Sequence, residues 1–184
     1  MKDLVNLLEQ AISFNYRAGN KVPEYDTFEY WRAVENQSKL MIEESTEGLD
    51  AAKVNDPVES IDALCDELFV LAWRIEQHTQ AGFDVIGAMQ QVIDNNSKKV
   101  FNSYYEACAA KEGLEFKYWD EEFVVETSIH NGLPFYTVRD SNNKIRKAVD
   151  FVAVELEQFI PQEGELMLTM KWQADIPDEA YYNK

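Results

Sequence analysis

Met41-Ile42-Glu43-Glu44-Ser45-Thr46-Glu47 is followed, past a break at Asn55-Asp56-Pro57, by Glu59-Ser60-Ile61-Asp62-Ala63-Leu64-Cys65-Asp66. Both stretches sit in sequence of helical period, and residues three or four apart share a helix face. Glu44 therefore points with Glu47, and Asp62 and Glu59 point with Asp66. The plain alternative is a pair of solvated helix faces. Against it, the Asp62–Asp66 line continues into Phe69 and Trp73, and Val70 and Leu71 make that half of the helix apolar almost all round. A helix apolar on every side is buried, so its carboxylates are expected to be at least partly enclosed. Lys53 is the only basic residue between positions 43 and 67. Four carboxylates on two antiparallel helices are a ligand set for a hard dication, Mg²⁺ with Mn²⁺ as the alternative, whose remaining positions suit a polyphosphate.

Outward from these helices the pattern stays helical toward the N-terminus. Leu4, Leu7, Leu8, Ala11, Ile12 and Phe14 predict a helix over about residues 3–18, ended at Gly19. After a loop containing Pro23, Thr27 opens a second helix whose apolar face is read as Trp31, Val34, Met41, Ile42, Leu49 and Ala52. Asp56 as N-cap and Pro57 at the first helical position start a third helix over about 57–80, with Ile61, Leu64, Cys65, Leu68, Ala72 and Ile75 as its main face. A fourth helix, through Val85, Met89, Val92 and Ile93, is expected to pass Lys99.

Beyond about Asn102 the period changes. Ser103 caps a short helix, Tyr104 to Glu112, that Gly113 is expected to stop. Phe123-Val124-Val125, Phe135-Tyr136-Thr137-Val138 and Lys144 to Ala148 then read as a β-meander, separated by His130-Asn131-Gly132 and Ser141-Asn142-Asn143. Val154 to Ile160 predicts a helical turn or two, and Leu166 to Trp172 a last strand. The fold class is accordingly mainly α, a four-helix core over residues 1–100 followed by a short helix plus β-meander extension and tail over 101–184.

The 184 residues carry a net charge of −17, with 46% hydrophobic and 12% aromatic residues, a globular composition. A field of that sign disfavours nucleic acid and anionic membrane surfaces as partners. Cys65 and Cys108 are too few for a disulfide framework and are expected as buried free thiols, consistent with a reducing cytosol. The N-terminus has no signal-peptide pattern, and no apolar run approaches the ~18 residues needed to span a bilayer. The expected location is cytoplasmic, in a host cytoplasm if the chain is phage-encoded. His78 and His130 form no metal-spaced pair, and there is no Gly-rich phosphate loop or nucleophile elbow.

The motif Glu43-Glu44-x-x-Glu47, with an acidic pair ending in Asp66-Glu67-Leu68-Phe69 on the next helix, resembles the MazG-like all-α nucleoside triphosphate pyrophosphatases. More narrowly it is similar to their phage-type, phosphoribosyl-ATP pyrophosphohydrolase-like branch, and Val92-Ile93-Asp94-Asn95-Asn96-Ser97-Lys98 looks like that branch's closing cluster. The resemblance covers residues 1 to about 100. Residues 116–160 are more loosely similar to the β-extension that some phage members append.

The resemblance implies a Mg²⁺-dependent hydrolase that cleaves (d)NTP-like substrates between the α and β phosphates. It implies Glu44, Glu47 and Asp66 as metal ligands, Glu43 as an auxiliary carboxylate, and Asn95, Asn96 and Lys98 as phosphate donors. The family usually has Glu three residues before the final Asp, where this chain has Ala63; Asp62 is the natural substitute and Glu59 the fallback. Phe14 and Asn15, or Trp31, are candidates to stack on and read a base. A homodimer or dimer of dimers is further implied. The alternatives are a narrower substrate, phosphoribosyl-ATP or an alarmone, and a non-catalytic helical dimer that sequesters a nucleotide or binds a protein.

Overall fold

The computed structural model describes residues 2–161. They form five α-helices and a small antiparallel sheet: α1 Lys2–Arg17, α2 Phe28–Val54, α3 Pro57–Gln80, α4 Val85–Ser97, β1 Val100–Phe101, α5 Tyr104–Lys117, β2 Phe123–His130, β3 Leu133–Asp140 and a 3₁₀ turn at Glu157–Phe159. The chain divides into two compact units, one holding the residues up to Val85 together with Phe159–Pro161, the other Ile86–Gln158. The predicted strand at Leu166 to Trp172 lies outside the described residues. Among the described residues no helix is long and apolar enough to cross a membrane.

In the first unit α3 packs on both α1 and α2. The joint between α2 and α3 follows from three residues. Asn55 takes a left-handed φ of 56° and ends α2, its N–H returning to the Ala51 and Ala52 carbonyls. Asp56 then accepts the Val58 and Glu59 amides, and Pro57 occupies the first turn, where its missing N–H has no cost. So tight a joint turns the chain back on itself. The antiparallel register appears where Gly48 meets Ala63, where Gln37 Nε2 donates to the Val70 carbonyl at 2.8 Å, and where Tyr30 meets His78 with ring centroids 6.2 Å apart.

The inward faces of these helices differ from those read in the sequence. On α2 the inward line is Tyr30, Gln37, Glu44, Ala51, seven residues apart; Tyr30, Gln37 and Ala51 are buried and Glu44 is half-buried. Trp31, Ile42, Leu49 and Ala52, expected inside, are exposed. On α3 the buried residues are Ala63, Val70, Ala72, Trp73 and Gln77, whereas Ile61, Leu64 and Cys65 are exposed. The physical reason is size. Gly48 and the alanines let the backbones approach, and the larger aliphatic faces are left on the outside of this single chain. Cys65 is therefore an exposed thiol and Cys108 a partly exposed one, a correction to the expectation of burial. Tyr30 is fully buried, and burial pushes its hydroxyl up to about 12.

The second unit is built on the β2–β3 hairpin. Asn131 and Gly132 both take positive φ (51° and 78°), the backbone of a two-residue hairpin turn, and the ladder runs from Phe123 opposite Asp140 to His130 opposite Leu133. β1 adds on the other side of β3, giving the order β1-β3-β2. Ala110 and Leu114 of α5 pack with Phe123 and Val138 as the core. Three expectations are corrected. α5 continues through Gly113 to Lys117, because that glycine provides clearance: a Cβ there would meet Val149 Cγ2 at 3.2 Å. Lys144 to Ala148 is not a strand; it makes one bridge, Ile145 to Arg139. α4 ends at Ser97, before β1, and buries no residue.

Candidate functional site

The close approach of Gly48 and Ala63 brings the acidic turns of α2 and α3 side by side. The result is visible in Glu44, whose carboxyl is held above its ordinary range by partial desolvation and then by the charges of Glu47, Asp66, Glu43 and Asp62. Among the described residues no basic group offsets this, since Lys53 is 2.7 Å from Asp50 and the other lysine of α2, Lys39, pairs with Glu35. Five of the six carboxylates named from the sequence thus interact as one group around Glu44, and the fallback Glu59 is not among them.

Two features of that cluster depart from expectation. Glu43, Glu47, Asp62 and Asp66 are exposed in the chain, not enclosed, and only Glu44 is half-buried. The apolar second half of α3 buries Val70 and Trp73, one turn and more past Asp66, and the burial does not extend back to the acids. Nor, among the described residues, do three or more carboxylate, histidine or cysteine side chains converge into a ready-made metal-ligand set. The acids are near enough to repel and not drawn together. The donor chemistry nonetheless fits a hard cation: all-oxygen, mutually repelling and, among the described residues, without a lysine or arginine counter-charge.

Ala63 is 4% exposed and its Cβ lies 3.4 Å from where a Gly48 Cβ would stand. A glutamate there would have to push the two helices apart. The alanine at this position is therefore built into the packing, and Asp62 and Glu59 are exposed acids close to it on α3.

The next turns of the same helices line a hollow of about 330 Å³ between α1, α2 and α3. Its lining is rich in carboxamides: Asn15, Asn20, Asn36, Gln37 and Gln77, with Lys21 the sole basic group. Phe69, Val70, Trp73, Ala33 and Leu40 supply the apolar wall. Asn15 is buried and held by the Ala11 carbonyl at 3.0 Å and by Asn20 Nδ2 at 2.8 Å. Gln77 is 4% exposed, and its Oε1 is buried with no hydrogen-bond partner among the described residues. Leu40 precedes Glu44 by one turn and Phe69 follows Asp66 by one turn, so the hollow and the acids occupy consecutive levels of the α2–α3 pair, roughly 5–6 Å apart along the axis.

Of the base-reading candidates, Asn15 lines this hollow, and Phe14 packs edge-to-face with Phe69 of its wall, ring centroids 5.4 Å apart. Trp31 is elsewhere: it is exposed, its Nε1 donating to Asp26 at 3.2 Å, in an aromatic group with Tyr25, Tyr30 and Phe83. Asn95, Asn96 and Lys98, at and just beyond the end of α4, are carried by the second unit, Asn95 half-buried and the other two exposed. The sequence reading missed Asn36, Gln37 and Gln77. For Gln37 and Gln77 a signal was present, because Gln37 interrupts the seven-residue line Tyr30–Gln37–Glu44–Ala51 and Gln77 the line Ala63–Val70–Gln77; the exposed Asn36 lies on neither line. Polar residues on an inward line mark either a network or a site.

Compared with protein-family models, with curated proteins and with solved structures, the chain matches none.

Proposed function

We propose that the first unit is a divalent-metal-dependent nucleotide pyrophosphohydrolase, giving a nucleoside monophosphate and pyrophosphate from a (d)NTP-like substrate. The observation that carries this reading is the placing of Glu43, Glu44, Glu47, Asp62 and Asp66 on adjoining turns of α2 and α3, with Glu44 half-buried among them and, among the described residues, no counter-charge beside it. Such an arrangement costs stability and persists where it serves a ligand. Glu44, Glu47, Asp62 and Asp66 would hold Mg²⁺ or Mn²⁺, which when bound supplies positive charge to the phosphoryl oxygens. Glu43, exposed beside this set and not counted among its ligands, is the carboxylate suited to take the proton of the attacking water. The carboxamide hollow one turn away would take the base, its Gln77 Oε1 accepting an N–H from the ring edge and Trp73 and Phe69 providing apolar surface.

The exposed aliphatic residues on α2 and α3, including Ile42, Leu49, Ile61 and Leu64, support assembly into a homodimer or dimer of dimers. A second reading, a sequestering protein that binds a nucleotide without turning it over, is favoured by the open arrangement of the acids and by the buried Ala63. One experiment separates the two. Purified protein with Mg²⁺ is offered a panel of NTPs, dNTPs, modified nucleotides, phosphoribosyl-ATP and alarmones. Pyrophosphate release from any of them, lost in Glu44→Gln and Asp66→Asn, is the expected result. Tight binding without product selects the sequestering reading, and neither binding nor product overturns both.

A further inference from the structure

We propose that the second unit holds a separate binding site for a polyphosphate-bearing small molecule. A hollow of about 450 Å³ there is lined by Lys99 before β1, Lys117 at the end of α5, and Lys144, Arg146 and Lys147 after β3. These are five of the chain's 17 basic residues, and no acid is among the lining residues of a protein with 34 acids.

The roles of the five differ. Arg146 is neutralised, since its Nη1 lies 3.1 Å from both Glu121 and Asp140. Asp140 also accepts the backbone amides of Asn142 and Lys144, each at 3.0 Å, which fixes the turn that presents the basic segment. Arg146 and Asp140 are thus the frame. The four lysines have no carboxylate within ion-pair distance among the described residues. Lys147 Nζ lies 3.7 Å over the Phe151 ring and Lys117 Nζ 5.4 Å from the Tyr118 ring centroid, so two of them rest on aromatic faces of the wall.

Four ammonium groups around one concavity concentrate positive potential, and lysine binds phosphate as a compact point charge. The concavity decides the size of the ligand. A chain of charge −17 repels an extended polyanion such as nucleic acid along most of its length, whereas a small anion with several charges experiences only the local field.

Inorganic tripolyphosphate is titrated calorimetrically into the full chain at low salt in EDTA, where the acidic cluster of the first unit cannot recruit phosphate through a metal. This keeps the outcome independent of the proposed hydrolase activity. Saturable binding is expected, weakened at least tenfold in K144E/K147E, weakened less in the neutral K144Q/K147Q, and unaffected in K39E/K53E, which changes the net charge by the same amount as the first variant. Circular dichroism checks that each variant is folded; if K144E/K147E is not, the neutral pair decides. Absence of binding to the unaltered chain overturns the proposal, as does binding that none of the pocket variants weakens. Tighter binding of a single-stranded oligonucleotide, lost in the same variants, also overturns it by assigning the hollow to nucleic acid.

Discussion

Asp140 and Glu44 are both carboxylates of limited exposure, and the two units treat them in opposite ways. In the second unit Asp140 accepts two backbone amides and an arginine, and its carboxyl is held below the ordinary range, led by the Lys144 amide and opposed only by desolvation. In the first, Glu44 is desolvated among four acids and is held above it. One unit satisfies its acid and leaves lysines over; the other leaves its acids over. A satisfied charge stabilises a turn, whereas crowded charges of one sign raise each other's proton affinity and are relieved when a cation binds. The contrast separates framework from candidate site without reference to any relative.

Four substitutions would break or sharpen that contrast. The largest effect is expected from Ala63→Glu, which restores the residue usual in the resembled family but forces a carboxylate into the Gly48–Ala63 seam. A loss of about 4 kcal/mol, or roughly 10 °C in Tm by calorimetry, is expected from steric and desolvation costs together. An unchanged Tm with improved turnover would show that the seam is open enough to accept a ligand there.

Asp140→Asn should come next. It removes the charge that Arg146 pairs with, and Tm at neutral pH should fall. Because the folded pKa of Asp140 lies below its unfolded one, its contribution is full above the ordinary carboxylate range and is lost as pH falls through the folded value. The variant should therefore lose its stability deficit in acid, a convergence that a pH series of melts would reveal. Parallel curves at all pH values would deny Asp140 its framing role.

Gln77→Met should raise apo stability by about 1 kcal/mol, or about 3 °C, by removing a buried acceptor that has no partner, and should weaken nucleotide binding. A fall in Tm would mean that Gln77 belongs to the packing of α3 and not to the hollow.

The smallest shift, a rise of about 2 °C, is expected for Glu44→Gln without metal. Here the sign is reversed. The folded pKa of Glu44 is raised, so the protein is relatively more stable with that group protonated, at pH below the ordinary carboxylate range, and loses this as pH rises through the folded value. The rise should thus be seen at neutral pH and vanish in acid.

The helices of the first unit were legible because their signals are local. Thr27, Asp56 and Pro57 act within one turn, and Asn131-Gly132 sets the hairpin in the same way. The inward faces were not legible. Period alone ranks Trp31, Ile42 and Leu49 above a line containing Gln37 and Glu44, and only the tertiary approach at Gly48 and Ala63 reverses that ranking. Gly113 misled for a similar reason, since clearance for Val149 and a helix stop look alike in sequence. The acidic cluster was visible because its members lie within 24 residues on consecutive helices, from Glu43 to Asp66. Lys99, Lys117, Lys144 and Lys147 span 49 positions and meet only through the fold of the second unit.

Thermal melts of the full chain and of Glu44→Gln, each with EDTA and with Mg²⁺, test the acidic cluster most directly. In EDTA the variant should melt above the unaltered chain. With Mg²⁺ about a hundredfold above its Kd the unaltered chain should gain about 5 °C or more and the variant little, so that the order inverts. Mg²⁺ that leaves the unaltered chain unmoved, or stabilises both proteins equally, would contradict a metal site at Glu44.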